Sequence, residues 1–284
     1  MTTTERISPP LRLLRLGRVL LRLREERGLT GDQVCAKTGW SPSTLSRLER
    51  GKTVHVLPGD IHVLLNIYAA EQSVRDECIK LAISARATPY WAEHKRALGG
   101  LLDYVAYETE ADTIRSWQPQ VIPGLLQTEA YARTVLEAGG VDIDESLVRL
   151  RVRARIARQW IIHCAEPAQL QAVISEEALR RQVGGKTVMR AQLDHLLSEI
   201  KLPHISIRVL ASSVTAHPGM DGGFVLLTLP GMEETLHLEV GADGILDQGP
   251  RASHFQRRYT AIQELAMEPG PSAALIGRIR EEMA

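Results

Sequence analysis

The sequence predicts two domains of different class: a mainly α N-terminal bundle of five short helices, then an α+β domain around a small sheet expected to be antiparallel. Three observations lead there. The length of 284 residues reaches the range, ~250–300, beyond which one hydrophobic core seldom grows without dividing. The apolar period changes along the chain, from three or four residues up to about residue 85 to a mixture that includes period-two stretches beyond residue 200. The charge is also divided unevenly. Residues 1–52 carry eleven Lys or Arg against five Asp or Glu, a balance of +6, and the neutral total of 34 against 34 leaves −6 for residues 53–284.

The helices of the first part can be justified one by one. Leu16, Val19, Leu20 and Leu23 make one apolar stripe while Arg15, Arg18 and Arg22 fall on another face, and Gly28 offers a left-handed stop. Thr30 with Gln33 three residues on reads as a capping box for a short helix through Lys37, with Val34, Cys35 and Ala36 as small buried positions. Gly39 and Trp40 break it. Ser41 followed by Pro42 is a second cap, opening a helix with Leu45 and Leu48 inward and Ser43, Thr44, Ser46, Arg47 and Arg50 outside, closed by Gly51. Pro58 opens a fourth helix, with Ile61, Leu64, Leu65 and Tyr68 on one side. Val74, Cys78, Leu81 and Ala85 stripe a fifth.

A tight turn between the second and third helices is the helix-turn-helix arrangement, which can set a short helix into a major groove ~12 Å wide. The segment LGRVLLRLREERGLTGDQVCAKTGWSPSTLSRLERG, residues 16–51, resembles the phage-repressor-like (lambda-repressor, Cro/CI or XRE) family at several fixed spacings. Those spacings are Gly28-Leu29-Thr30, Ala36, Gly39, the helix over 41–48 and Glu49-Arg50-Gly51. The resemblance implies an ion pair between Arg24 on the first helix and Glu49 at the end of the third. It also shows a departure, since the residue after the capping Thr, usually a Gln that touches DNA, is Gly31 here.

The exposed chemistry of the third helix is small hydroxyls plus Arg47, with no apolar patch to offer a protein. Ser41, Ser43 and the helix N-terminus can donate to phosphate oxygens, whereas Thr44 and Arg47 reach base edges. Double-stranded DNA is therefore the expected partner. The candidate contact set is Thr30, Ser41, Pro42, Ser43, Thr44, Ser46, Arg47, Arg50 and Lys52. The expected domains are 11–88 for this module, a linker over 89–100, where Pro89, Tyr90, Trp91 and Gly99-Gly100 lack periodicity, and 101–284 for the rest.

In the second domain, helices are expected over 101–114, 128–136 and from the Asp144 cap to about Gln159. Residues 160–164 and 170–174 read as strands, followed by helices over 175–183 and 187–201. Ile205, Ile207 and Val209 alternate as in a strand; Phe224 to Leu229 is a continuous apolar run; Leu236, Leu238 and Val240 alternate again, and two helices close the chain. The motifs IPGLLQTEAYARTVL (122–136), SEEALRRQVGG (175–185), MRAQLDHL (189–196) and HPGMDGGFVLL (217–227) resemble the C-terminal domain DUF5753 of actinobacterial regulators. That resemblance implies a developmental or secondary-metabolism regulator and, as a partner, a small acidic protein of the DUF397 type.

No catalytic motif, cofactor fingerprint or metal-ligand set stands out, so neither enzyme activity nor a cofactor is expected. His163, Cys164 and Glu166 lie close together but give no four-ligand set. His204, His217, His237 and His254 are scattered, with no nucleophile motif beside them. Cys35, Cys78 and Cys164 are odd in number and far apart, which excludes a disulfide framework and points to a reduced, cytoplasmic interior. No apolar run reaches the ~18 residues of a membrane helix, and the opening residues lack the pattern of an export signal. The loop over 211–223, with His217 and Asp221, is the candidate place for an effector or partner, with a plain surface loop as the alternative. Arg149, Arg151, Arg153, Arg155 and Arg158 crowd one helix, and a solvated face is preferred there over an acidic-partner surface because exposed ion pairs are weak. The leading expectation is a homodimeric transcriptional regulator on a pseudo-palindromic operator. The alternative is an antitoxin-like protein that sequesters a small partner.

Overall fold

The computed structural model describes residues 9–52, 57–85, 95–139, 144–230, 232–240 and 243–283. The chain divides into two compact units, Met1–Ala92 and Glu93–Ala284. No helix among the described residues is long and apolar enough to cross a membrane.

Among the described residues the first unit has five helices: α1 (Pro9–Glu26), α2 (Gly31–Thr38), α3 (Pro42–Glu49), α4 (Pro58–Ile67) and α5 (Gln72–Ser84). Leu16, Leu20, Val34, Leu45, Leu48, Ile61, Leu64 and Cys78 meet in one core, because each helix turns its apolar stripe inward. Thr30 and Gln33 form a reciprocal capping box, and Gly39 ends α2 in the left-handed conformation. Ala36 is exposed rather than buried, since an eight-residue helix has only one inward turn and Val34 and Cys35 fill it. Arg75 on α5 donates to the Leu65 and Ala70 carbonyls, placing a cation at the end of α4 where the free carbonyls gather.

The second unit begins with α6 (Lys95–Leu98), a 3₁₀ turn and α7 (Leu102–Glu110). Of the linker expected over 89–100, residues 89–94 lie outside the described residues and the remainder is helical. Then follow β1 (Thr113–Gln118), α8 (Glu129–Gly139), α9 (Glu145–Arg158), α10 (Trp160–His163), β2 (Gln169–Ser175), α11 (Glu176–Arg180) and α12 (Gly185–Glu199). The chain closes with β3 (Ile205–Leu210), β4 (Phe224–Thr228), β5 (Thr235–Val240), β6 (Asp243–Gln248), α13 (Pro250–Leu265) and α14 (Pro269–Glu282).

The domain is α+β in class, but its sheet is neither small nor purely antiparallel: among the described residues six strands run in the order β3-β2-β1-β4-β5-β6. Strands β1, β2 and β3 are mutually parallel, and β1–β4, β4–β5 and β5–β6 are antiparallel. Parallel pairs need crossover connections, which α8 to α10 and α11 to α12 supply. β1 hides in the sequence because it is a central strand with both faces covered, so Thr-Ile-Arg-Ser-Trp-Gln does not alternate cleanly and sits directly after a helical stretch. β6, Asp-Gly-Ile-Leu-Asp-Gln, is an edge strand of poor strand formers. Residues 160–163, expected as a strand, form α10, because Ile161 and Ile162 bury as the end of the α9 crossover.

Side chains alternate between the two sheet faces. Trp117, Phe224, Leu226 and Leu236 face α13, where Tyr259 and Ile262 meet them. Ile114, Ser116, Leu170 and Val225 line the other face together with Tyr104 and Glu108 of α7 and Arg155 and Arg158 of α9. Arg158, expected on a solvated face, is instead buried: its Nε and Nη2 donate to Glu108 Oε2 and Oε1, both at 2.8 Å. Arg155 Nη1 donates to Gln127 Oε1 at 3.0 Å. Tyr104 donates its hydroxyl to Glu108 at 2.5 Å; its ring stacks on the His237 imidazole, 3.9 Å between centroids, and the Arg158 guanidinium is 5.2 Å from its centroid.

His237 is fully buried, and neither ring nitrogen has a partner among the described residues. Burial holds its pKa down to about 4 from 6.5, with Glu108 opposing and Arg158 reinforcing. A histidine whose folded pKa is depressed contributes fully above its unfolded pKa and costs stability as pH falls from about 6.5 towards 4. The melting temperature of the C-terminal unit is therefore expected to drop over that window, by an amount corresponding to on the order of 3 kcal/mol. A His237→Leu variant, compared across the same pH series, should lose this part of the acid sensitivity; an identical profile would refute the assignment.

Candidate nucleic-acid interface

The sequence places a stop at Gly39 and a start at Ser41-Pro42 on the two sides of the turn between α2 and α3, and the structure uses both. Ser41 Oγ accepts from the Thr44 backbone N–H at 3.2 Å and lies 2.9 Å from both the Ser43 and Thr44 hydroxyls. The three hydroxyls thus form one polar cluster at the N-terminus of α3, the end where a helix attracts anions. At the other end, Lys52 N–H donates to the Arg47 carbonyl and Gly51 N–H to the Leu48 carbonyl, with Gly51 at φ 64°. This is the Schellman arrangement that closes a helix on a left-handed glycine.

Between these ends Leu45 and Leu48 are buried, Arg47 and Arg50 are exposed, and Thr44 and Ser46 are half-buried. Thr30, Ser41, Pro42, Ser43 and Lys52 are exposed as well. The expected contact set is therefore brought to α3 and its two flanks. Thr30 and Ser41 already use their hydroxyls as helix caps, leaving them lone pairs and geometry rather than free rotation. Among the first-helix arginines, Arg15 is pinned to Glu77 of α5 at 2.7 Å.

Arg24 and Glu49 meet. Arg24 Nε donates to Glu49 Oε1 at 2.6 Å and Nη2 to Oε2 at 3.2 Å, while Nη1 donates to the Leu29 carbonyl at 2.8 Å. The pair is largely out of solvent, with side-chain exposures of 15% and 10%, and the Glu49 hydrogen bond raises the Arg24 pKa above its ordinary value. One guanidinium thus ties α1, the loop before α2 and the end of α3 together, fixing the angle at which α3 is presented.

A residue that pattern reading passed over sets how closely α1 and α3 approach. A Cβ built on Gly17 would stand 2.5 Å from the Leu48 carbonyl oxygen and 2.6 Å from that of Glu49. Those are backbone atoms and cannot turn aside. Gly17→Ala is expected to cost about 1–3 kcal/mol of N-terminal stability and to weaken DNA binding by shifting α3, although alanine is the better helix former. A melting curve at or above that of the parent would refute the contact. The signal in the sequence was a glycine in mid-helix, which normally costs stability and so needs a packing reason.

His217 and Asp221, in the candidate loop of the second unit, are committed within it. His217 Nδ1 lies 3.1 Å from the Gly219 N–H and its ring meets Trp117 edge-on at 5.4 Å; Asp221 pairs with Arg258 at 2.8 Å. Trp117 Nε1 donates to the Gly219 carbonyl, so the loop is a fixed cover over the α13 side of the sheet. His163 pairs with Glu199 at 3.0 Å, and no cluster of three metal-ligating side chains occurs among the described residues.

A capped helix-turn-helix corner whose hydroxyl-rich third helix exposes Arg47, with Arg50 and Lys52 just beyond its end, defines a DNA-binding regulator of the helix-turn-helix class. The family model described as a helix-turn-helix domain matches residues 15–78, the span of that corner and its supporting helices. The model described as "Domain of unknown function (DUF5753)" matches residues 101–278, more than half of the chain, and the chain belongs to that family. No curated protein and no solved structure matches it.

Proposed function

We propose that this chain is a transcriptional regulator that binds its operator as a homodimer through α3, its second unit serving dimerisation and the sensing of a ligand or partner, without catalysis. The observation that carries the reading is the α3 surface: an exposed Arg47 one turn beyond a cluster of three hydroxyls, on a helix whose orientation is held by the Arg24–Glu49 pair. One such helix reads few base pairs, so two half-sites joined by a dimer are the usual route to useful specificity. In this arrangement Arg47 and Thr44 read bases, whereas Ser41, Ser43 and Lys52 hold phosphates. One buried carboxylate of the second unit, Glu108, accepts two N–H groups of Arg158 and the hydroxyl of Tyr104, which gives it a structural role.

Genomic footprinting at fixed salt identifies the operator, and a gel-shift titration then tests the roles. Arg47→Ala is expected to lose about 1–3 kcal/mol on the specific site with little change on random DNA, because base contacts specify and phosphate contacts position. Equal loss on both would sink the assignment. Light scattering of the intact chain alongside tests the dimer; a monomer that binds operator as one copy would remove it.

A further inference from the structure

The second unit contains a cavity of about 90 Å³ between the sheet and helices α7 and α9, several times the ~10–15 Å³ that one water needs on the same measure. Most of its polar lining is already committed. Glu108 accepts from Arg158 and Tyr104, Arg155 donates to Gln127, and Gln127 donates in turn to the Ile122 carbonyl. The Ser116 hydroxyl lies sealed beneath the surface, where not even a water reaches it. Gln118 is different. It ends β1 on the face that carries Ile114 and Ser116, lines the cavity and is 8% exposed. Its carboxamide makes no hydrogen bond within the described residues, and it is not sealed: a water molecule can touch both Oε1 and Nε2. A methionine of similar length would suit a buried position without partners better, since an unmet amide is unfavourable.

The site is built in advance. A Cβ on Gly223 would stand 3.1 Å from Gln118 Oε1, so the glycine just before β4 leaves the carboxamide its room. Residues 122–128, the centre of a motif that the DNA-binding function does not use, are pinned by two buried glutamines and a tyrosine. Gln127 Nε2 donates to the Ile122 carbonyl and Gln192 Nε2 to that of Leu126. Gln192 Oε1 accepts from the Thr128 N–H, and the Ile122 N–H donates to the Tyr131 hydroxyl. Much of the remaining lining is apolar, including Ile114, Leu125, Val135 and Leu170. A pre-formed, mainly apolar site with few polar groups left open to a ligand is the usual design of a small-molecule pocket.

We infer that this cavity is the ligand site of the C-terminal unit and that it takes a small uncharged molecule with a short apolar body and one primary amide group, paired with the Gln118 carboxamide. Two such amides fit each other because each offers an N–H beside a C=O, so both polar atoms of Gln118 are met at once. A charged ligand gains no counter-ion here, since Glu108, Arg155 and Arg158 are engaged inside the protein, and the apolar wall favours a hydrocarbon tail over a sugar. The assignment rests on the reading of the second unit as the sensing half of the protein. The sensor then lies on the sheet face opposite the loop that carries His217 and Asp221.

The test uses the full chain without DNA and probes of equal heavy-atom count: butyramide, 2-pentanone, butyrate and pentylamine. Saturation-transfer NMR and the melting of the C-terminal transition are expected to show saturable binding of butyramide. It should bind about fivefold or more tighter than the ketone, which can only accept, as one further hydrogen bond would give, and tighter than either charged probe. Gln118→Met is expected to bring butyramide down to the level of the ketone while leaving the melting temperature unchanged or raised, a combination that a purely structural glutamine would not give. Val135→Phe, which fills the cavity from α8, should abolish binding. No saturable binding by any probe, as for a site that holds only water, overturns the proposal. So does preference for the ketone or a charged probe, or an unchanged preference in the Gln118→Met variant. A gel-shift titration with and without butyramide separates the two readings. Butyramide that binds but leaves operator affinity unchanged supports the site and refutes the sensing role, whereas a chain that binds butyramide but no DNA supports the site and refutes the regulator.

Discussion

Glu108→Ala is expected to cost the C-terminal unit about 3–5 kcal/mol, the largest single-residue effect in that unit, because it leaves the buried Arg158 guanidinium without its charge partner. Glu108 is 1% exposed and Arg158 8%, so bulk solvent screens neither charge. Three hydrogen bonds go at once, two from Arg158 and one from the Tyr104 hydroxyl. The size of the loss measures an abandoned charge rather than the value of the pair. The double variant Glu108→Leu with Arg158→Met, which removes both charges, should recover most of it. Differential scanning calorimetry of the three proteins distinguishes these terms. A single variant that melts like the parent would show that the pair is not desolvated.

Glu49→Ala should destabilise the N-terminal unit by about 3 kcal/mol, at the low end of the range for buried pairs because 10–15% of each side chain still meets solvent. Arg24 would keep its bond to the Leu29 carbonyl but lose both bonds to α3. The consequence for DNA differs in kind from that of Arg47→Ala. A helix presented at the wrong angle loses base and phosphate contacts together, so Glu49→Ala should weaken binding to operator and random sequence alike. Discrimination preserved at lower affinity would fit this account, and selective loss on operator would contradict it. Gly17→Ala should resemble Glu49→Ala, since both act on the crossing of α1 and α3.

The N-terminal unit was legible in the sequence because its information is local. The Thr30–Gln33 box, the Ser41-Pro42 start and the Gly51 stop act within four residues of the backbone groups they satisfy, and the apolar stripes keep one period. The second unit was legible where an element alternated or formed a continuous apolar run, as β3 and β4 do. β1, covered on both sides and following a helix, was not found: its first two residues, Thr113 and Ile114, were read as the end of that helix and the rest was unassigned.

The sequence by itself determined the five-helix module, the residues that cap and line α3, and the class of the second domain, because each depends on spacing along a single element. Tertiary structure alone decided the parallel pairing of β1, β2 and β3, the burial of Arg158 and His237, and the cavity over Ser116. Each of these arises where strands and helices distant in the chain converge. Arg158 and Glu108 lie fifty residues apart, and Ser116, Ala172 and Val225 come together only through strand register. Whether an arginine is solvated or buried depends on what the other elements place over it, and no period within its own helix carries that information.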